Sequence, residues 1–321
     1  MIECSVYGEK DSVKWDKFVT SANNGTIFHL RRFLGYHPKN RFEDHSLLFH
    51  KNGKLVAAFP ACIVRNGSKT TLHSHRGASF GGFVLEESAG LKETFDLVEA
   101  LKNYSQENNF NEIVLTLPPI IYLTRLSNNL DFALIKNGFS HSKRELSSVL
   151  SLKPSFAANL KNFRAEARTA FRRAQKLGVE IQESDDYSTF YKLLESNLSI
   201  RHGVTPTHTI DELVKLKNLF PDRIELLAAF AEGKMIAGVI LIECNPKAII
   251  AFYICHDEKY QQFRAVNLLF HDIIKRAIQK KFKFLDFGTF TVDMDPNWGL
   301  GRFKESFGAS GLFRDTFKIE L

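Results

Sequence analysis

One succession of hydrophobic patterns runs through this chain twice, and that recurrence limits the fold more than any single motif. In the first half, a short strand and two helices lead into "DHSLLFHKNGKLVAAFPACIV". Here two apolar runs flank Asn52-Gly53, the strongest short hairpin signal that a sequence offers. A helical stripe follows at Leu91, Phe95, Val98, Leu101 and Tyr104, and then the strand "NEIVLTLPP", closed by prolines. The second half repeats this order. Helices precede the hairpin "IELLAAFAEGKMIAGVILIEC", which turns at Glu232-Gly233-Lys234, and the strand "AIIAFYICHD", a helix from Ala265 to Lys280 and the strand "FLDFGTF" follow. Helices, antiparallel hairpin, strand, helix and strand make an α/β (α+β) unit, a mixed, mostly antiparallel sheet flanked by helices. The recurrence is one of architecture, with no convincing residue-level repeat.

Length agrees with two such units. The chain has 321 residues, about twice the ~150-residue expectation for one domain. The proline and small residues of "SLKPSFAANL" mark the change-over, giving expected domains 1–152 and 153–321. The next helix carries Leu160, Phe163, Ala167, Ala170, Ala174 and Leu177 on one stripe and stops at Gly178. Thr209 and Glu212 form a capping box at the start of another.

Forty-three basic against thirty-six acidic side chains leave a formal charge of +7. This favours anionic partners: phosphates, RNA or an acidic membrane face. The first residues, "MIECSVYGEKDSVKW", lack the pattern of a signal peptide, and no apolar run reaches the ~18 residues of a membrane span. Four cysteines stand far apart with no C-x-x-C pair, as expected of reduced thiols in a cytoplasmic protein without structural zinc.

Several motif matches fail on context. "GASFG" at Gly77–Gly81 fits a nucleophile elbow, which needs a helix directly after its serine, yet "GGFVLEES" reads as turn and strand. Ser79 is therefore a loop residue. "DFG" at Asp286–Gly288 has no accompanying kinase motifs and reads as a strand end. His73 and His75 share a strand face without a third ligand placed by spacing, so no metal site is expected.

Other features survive. Arg164, Arg168, Arg172 and Lys176 follow one another at i+4 steps, with Lys161 and Arg173 beside them and only Glu166 opposing. A solvated helix face usually mixes signs, whereas an RNA backbone or phosphorylated carrier would neutralise this ridge. In "SIRHGVTPTHT", Arg201 and His202 end a helix, where the macrodipole alone favours cations. An arginine fork beside His208 and two threonines equally suits phosphate oxygens, and the residues leave both readings open. After "AFYICHD", acyl-CoA-dependent acetyltransferases carry Q/R-x-x-G-x-G/A, so that backbone N–H groups can approach a pyrophosphate. The corresponding register here holds Gln262, Ala265 and Asn267, with both glycines missing. Finally, "GLGRFKESFGASG" sets Lys304 between Phe303 and Phe307. Either the phenylalanines are buried and the lysine points into water, or the lysine is held on an apolar base to meet an anion.

Taken together, "LKNFRAEARTAFRRAQKLGVEI", "FYKLLESNLSIRHGVTPTHTIDEL", "FPDRIELLAAFAEGKMIAGVILI", "FLDFGT" and "NWGLGRFKESFGA" resemble the tandem GNAT-fold proteins related to the FemAB/FemX peptidyltransferases. The likeness is stronger to the bacterial FemAB-like GNAT group linked to surface polysaccharide synthesis. It extends to "EDHSLLF" and "SHRGASFGGF" and so covers nearly the whole chain. FemX-type enzymes move an amino acid from aminoacyl-tRNA to an amine of a cell-wall precursor. The resemblance therefore implies an acyl or aminoacyl transferase with Lys304, the lysine of the "FK..F" segment, stabilising charge during transfer. It also implies that Arg201 binds the precursor.

On the substrate side His202, His208, Tyr253, His75 and Arg76 join Arg201. On the donor side stand Gln262, Arg264, Asn267, Arg168 and Arg172. No cofactor is expected to stay bound, the donor being aminoacyl-tRNA or acyl-CoA. The expected partners are an anionic small-molecule or lipid-linked precursor, tRNA and the membrane periphery. Two rival readings are acetylation of an amino sugar by acyl-CoA and non-catalytic binding of RNA or a glycan precursor. An exposed Lys304 would favour the second. The catalytic reading has Lys304 buried and facing Arg201 across a cleft.

Overall fold

The structure, a computed structural model, describes residues 2–200 and 205–321 in full and the backbone alone of 201–202. It divides into two compact units, residues 1–146 with 312–321, and residues 147–311. The order of elements set the change-over at 152/153 and kept the last strand in the second half. Residues 312–321 instead pack in the first unit: the strand Ser310–Glu320 pairs Thr316–Glu320 with Glu112–Thr116, and Phe317 is fully buried in that core.

In the first unit the Asn52-Gly53 hairpin forms as expected. Strands Leu47–Lys51 and Lys54–Phe59 pair antiparallel, and both turn residues have positive φ (50° and 74°), the backbone that Asn-Gly supplies at low cost. Strand Lys69–Ser74 runs parallel to Glu112–Thr116. Parallel neighbours need a crossover, here the helix Leu91–Glu107, which buries Leu97, Val98 and Leu101 against the sheet. Ser79 lies in a loop with no helix after it. The following glycines are there for space: a Cβ on Gly81 would stand 2.7 Å from the Ser74 carbonyl.

In the second unit, strands Glu180–Glu183, Ile224–Ala231, Lys234–Asn245 and Ala248–His256 pair antiparallel in succession. The hairpin turns at Glu232 and Gly233, both at positive φ. Strand Phe284–Thr289 then runs parallel to Ala248–His256 and antiparallel to residues 147–151. Helices Ala165–Lys176 and Ala265–Gln279 cover the sheet with Ala167, Phe171, Ala174, Leu269, Phe270 and Ile273.

One helix read from the sequence is two. Phe156–Asn162 and Ala165–Lys176 are separated at Phe163-Arg164, where Arg164 N–H donates to Ser306 O at 2.8 Å. The break turns Phe163 into the core, its ring 5.2 Å from that of Phe307. Leu177, placed on the buried stripe, is 43% exposed.

Candidate functional site

The parallel pair Ala248–His256 and Phe284–Thr289 is in register only from Ala248/Phe284 to Ile250/Asp286. Beyond that point the two strands no longer pair. Gly288 sits on this stretch at φ +75°, its N–H donating to Asp286 Oδ1 at 2.7 Å. Turning the peptide this way directs the carbonyls of Gly288 and Thr289 at one ligand, the ammonium of Lys304, at 2.8 Å each.

Lys304 rides on the helix Trp298–Glu305, whose first turn is capped by Asn297 Oδ1 accepting from Leu300 N–H at 3.0 Å. Gly301 lets that helix close on Phe290, since a Cβ there would approach the ring to 3.0 Å. Phe303 and Phe307 pack with Phe270 and Phe287 on the apolar side. Lys304 is 2% exposed, so the reading in which it points into water is excluded. Glu305 does face solvent, paired with Arg164 at 2.8 Å. Burial pulls the Lys304 titration down from the ordinary lysine value to about 7, and the nearby Asp286 carboxylate opposes that fall. A lysine poised between its two charge states can hold or release a proton near neutrality.

Tyr253 stands three residues past Ile250, the last position at which its strand pairs with Phe284–Thr289. Its hydroxyl lies 2.8 Å from His208 Nδ1, Tyr191 Oη donates to His208 O at 3.1 Å, and Phe252 packs edge-on against the imidazole. Burial, first among several influences, holds the Tyr253 phenol above the usual range, so it stays a hydrogen-bond donor at neutral pH. Further along, Glu258 accepts from Asn197 Nδ2 at 3.3 Å and lies 3.5 Å from His256 Nε2.

The fold thus brings His208 and Tyr253 together from 45 residues apart. The side chains of Arg201 and His202 lie outside the described residues, and so does the expected placing of Arg201 opposite Lys304. His75 and Arg76 belong to the first unit. His75 is buried, and its Nδ1 accepts from Gly77 N–H at 3.0 Å; Arg76 is exposed. Among the described residues no group of three or more His, Cys, Asp or Glu is arranged to hold a metal.

On the donor side, Gln262 and Arg264 are exposed and Asn267 half-buried around the first turn of Ala265–Gln279. Arg264 occupies the left-handed backbone (φ 55°) immediately before it. Ala265 and Asn267 stand where the two cradle glycines would be, so the glycine-lined approach of that mode of CoA binding is missing. Arg168 is half-buried and Arg172 exposed, and neither makes an ion pair among the described residues. The ridge is neutral only at its beginning, where Arg164 meets Glu305 and Glu166 meets Arg302 at 3.3 Å. Sequence reasoning missed Asp286, Tyr191, Asn197 and Glu258. Only Asp286 carried a signal, the "DFG" turn that was read as a strand end.

Comparison with known proteins adds a domain match and a shared fold. Residues 161–305 match the acetyltransferase (GNAT) domain family. No curated protein sequence matches the chain significantly. Among solved structures, the chain is similar to FemX, with a TM-score of 0.76 at 15% identity over 99% of this chain and 97% of that one. It is also similar to L-PGS from Bacillus licheniformis (TM-score 0.60, 10% identity, 97% and 91% covered). A third likeness is to a tandem GNAT protein from the clavulanic acid biosynthesis pathway (0.59, 10%, 100% and 98%). Among the described residues no helix is long and apolar enough to cross a membrane. Residues 161–305 thus match the acetyltransferase (GNAT) domain, and the chain as a whole shares its fold with FemX and with the tandem GNAT protein.

Proposed function

We propose that the chain transfers an acyl or aminoacyl group to an amine of a cell-wall or surface-polysaccharide precursor, with Lys304 as the cation beside the reacting carbonyl. The observation that carries this reading is the Lys304 ammonium itself, buried and held by the Gly288 and Thr289 carbonyls where two parallel strands stop pairing. An ammonium has three N–H donors. Two are committed to those carbonyls, which leaves one for a substrate oxygen.

In the reaction the amine nitrogen attacks the ester or thioester carbonyl, a C–N bond forms, and negative charge collects on the carbonyl oxygen. A buried donor is worth most at that moment, because little water screens it. When the C–O or C–S bond breaks, the leaving atom needs a proton and the amine must lose one. A lysine titrating near 7 is matched to the first of these transfers. His208 and Tyr253 are assigned to holding the acceptor, and Arg168 and Arg172 to an anionic donor.

The donor is the finer question. The missing glycine cradle and the unpaired arginines support aminoacyl-tRNA, while the GNAT family match supports acyl-CoA. Calorimetry with aminoacyl-tRNA and with acetyl-CoA, on the wild type and on Arg168→Ala/Arg172→Ala, separates them. Under the tRNA reading, tRNA binds, the double variant binds it more weakly and with a shallower salt dependence, and acetyl-CoA gives no heat. Binding of acetyl-CoA alone would turn the assignment to an acyl-CoA-dependent N-acetyltransferase.

A further inference from the structure

The first unit contains a cavity of about 240 Å³, lined only by its own residues. That is far more than the ~15 Å³ that admits one water, and a little below the ~300 Å³ at which drug-sized pockets begin. Its apolar lining includes Leu117, Pro118, Ile120 and Leu130. The lining also carries charge, and two of its three carboxylates are paired with cations. Arg144 forks onto Asp315, Nε to Oδ1 at 2.9 Å and Nη2 to Oδ2 at 3.0 Å, with its guanidinium 3.9 Å from the Phe313 ring centre. Glu86 is paired with Lys54 at 2.8 Å. Arg125 commits Nε and Nη2 to the carbonyls of Glu87 and Ala89.

Among the lining carboxylates Asp131 is the exception. It lines the same cavity from the first turn of the helix Asn129–Lys136, half-buried, with no cation in ion-pair contact among the described residues. Burial first, and then the Asp315 carboxylate, hold its titration above the usual range; its own backbone N–H, Asn128 and His141 work the other way. A carboxyl in this state lacks a positive partner.

We propose that this cavity is a binding site for a small primary amine, whose ammonium pairs with Asp131 and whose apolar body lies against Leu117, Pro118, Ile120 and Leu130. A ligand cation would give this unpaired carboxylate its counter-charge, and the apolar lining would take the rest of the molecule. This does not rest on the role of Lys304.

The test uses the full chain and a matched pair of probes, 4-phenylbutylamine and 4-phenylbutanol, with binding followed by ligand-observed NMR. The amine should bind at least about tenfold more tightly than the alcohol, the usual worth of a charged hydrogen bond. Asp131→Asn should bring the amine down to the alcohol's affinity, and Leu117→Trp, which fills the cavity, should abolish both. In the wild type, amine affinity should fall as pH is lowered through the Asp131 titration while alcohol affinity stays level, a readout that needs no variant. Equal affinity for the two probes, binding of neither, or an amine affinity indifferent to both Asp131→Asn and pH would overturn the proposal.

Discussion

Lys304 Nζ donates to the carbonyl oxygen of Gly288 at 2.8 Å, across 16 residues of sequence, and Gly288 holds that carbonyl in place by adopting φ +75°. The pair joins the helix Trp298–Glu305 to the end of strand Phe284–Thr289. It is also why a charged side chain can be 2% exposed in this fold.

Gly288→Ala tests the backbone half of this relationship. The site has room for a Cβ, whose nearest neighbour would be Ala251 O at 3.9 Å, so the cost is conformational rather than steric. A loss of about 1 kcal/mol in urea unfolding is expected from forcing alanine to positive φ. Transfer should fall by more than that stability change explains, because the carbonyl that positions Lys304 turns with the peptide. A stable variant with wild-type turnover would separate Gly288 from the site.

Stability should depend on pH through Lys304 in a definite direction. The unfolded chain keeps the Lys304 proton up to about 10.5 and the folded chain only up to about 7. Between those values the unfolded state binds more protons, so stability rises with pH, by at most about 1.4 kcal/mol per unit. Below 7 both states are protonated and the slope vanishes. Urea unfolding of the wild type and of Lys304→Met at pH 7.5 and 9.5 isolates the effect: the wild type should gain on the variant at the higher pH. A constant or shrinking difference would show that Lys304 titrates normally.

Tyr253→Phe removes the hydroxyl 2.8 Å from His208 Nδ1. Folding should change by about 1 kcal/mol, the usual worth of one hydrogen bond. If the pair holds the acceptor, its KM should rise about tenfold with kcat little altered, as steady-state kinetics with varied acceptor would show. A drop in kcat at unchanged KM would move Tyr253 from binding to chemistry.

The parts of this molecule that were legible in the sequence are those whose information is local. Asn52-Gly53 and Glu232-Gly233 turn their hairpins because the residues at the turn decide the backbone. The Thr209–Glu212 box caps its helix through two bonds only three residues apart in the chain (3.2 Å and 2.9 Å). The break at Phe163-Arg164 was not legible, because Ser306 O and the Phe307 ring, more than a hundred residues later, decide it. The same holds for the last strand, whose pairing with Glu112–Thr116 draws it into the first unit. For Lys304, the phenylalanine spacing is visible, but the stretch alone cannot choose between a lysine in water and one held against an anion. The deciding groups are two backbone carbonyls, which no side-chain pattern reports.

The most direct measurement is single-turnover transfer by Lys304→Met, with a methionine filling the space and the fold checked by its unfolding curve. The account predicts a folded protein that binds donor and acceptor as before and transfers roughly 10²-fold to 10³-fold more slowly, the typical loss when a donor to a developing oxyanion is removed. It also predicts that the fall in wild-type rate above pH 7 disappears from what remains. A folded Lys304→Met protein that transfers at the wild-type rate would contradict it, and Lys304 would then be only the tie between a helix and a strand end.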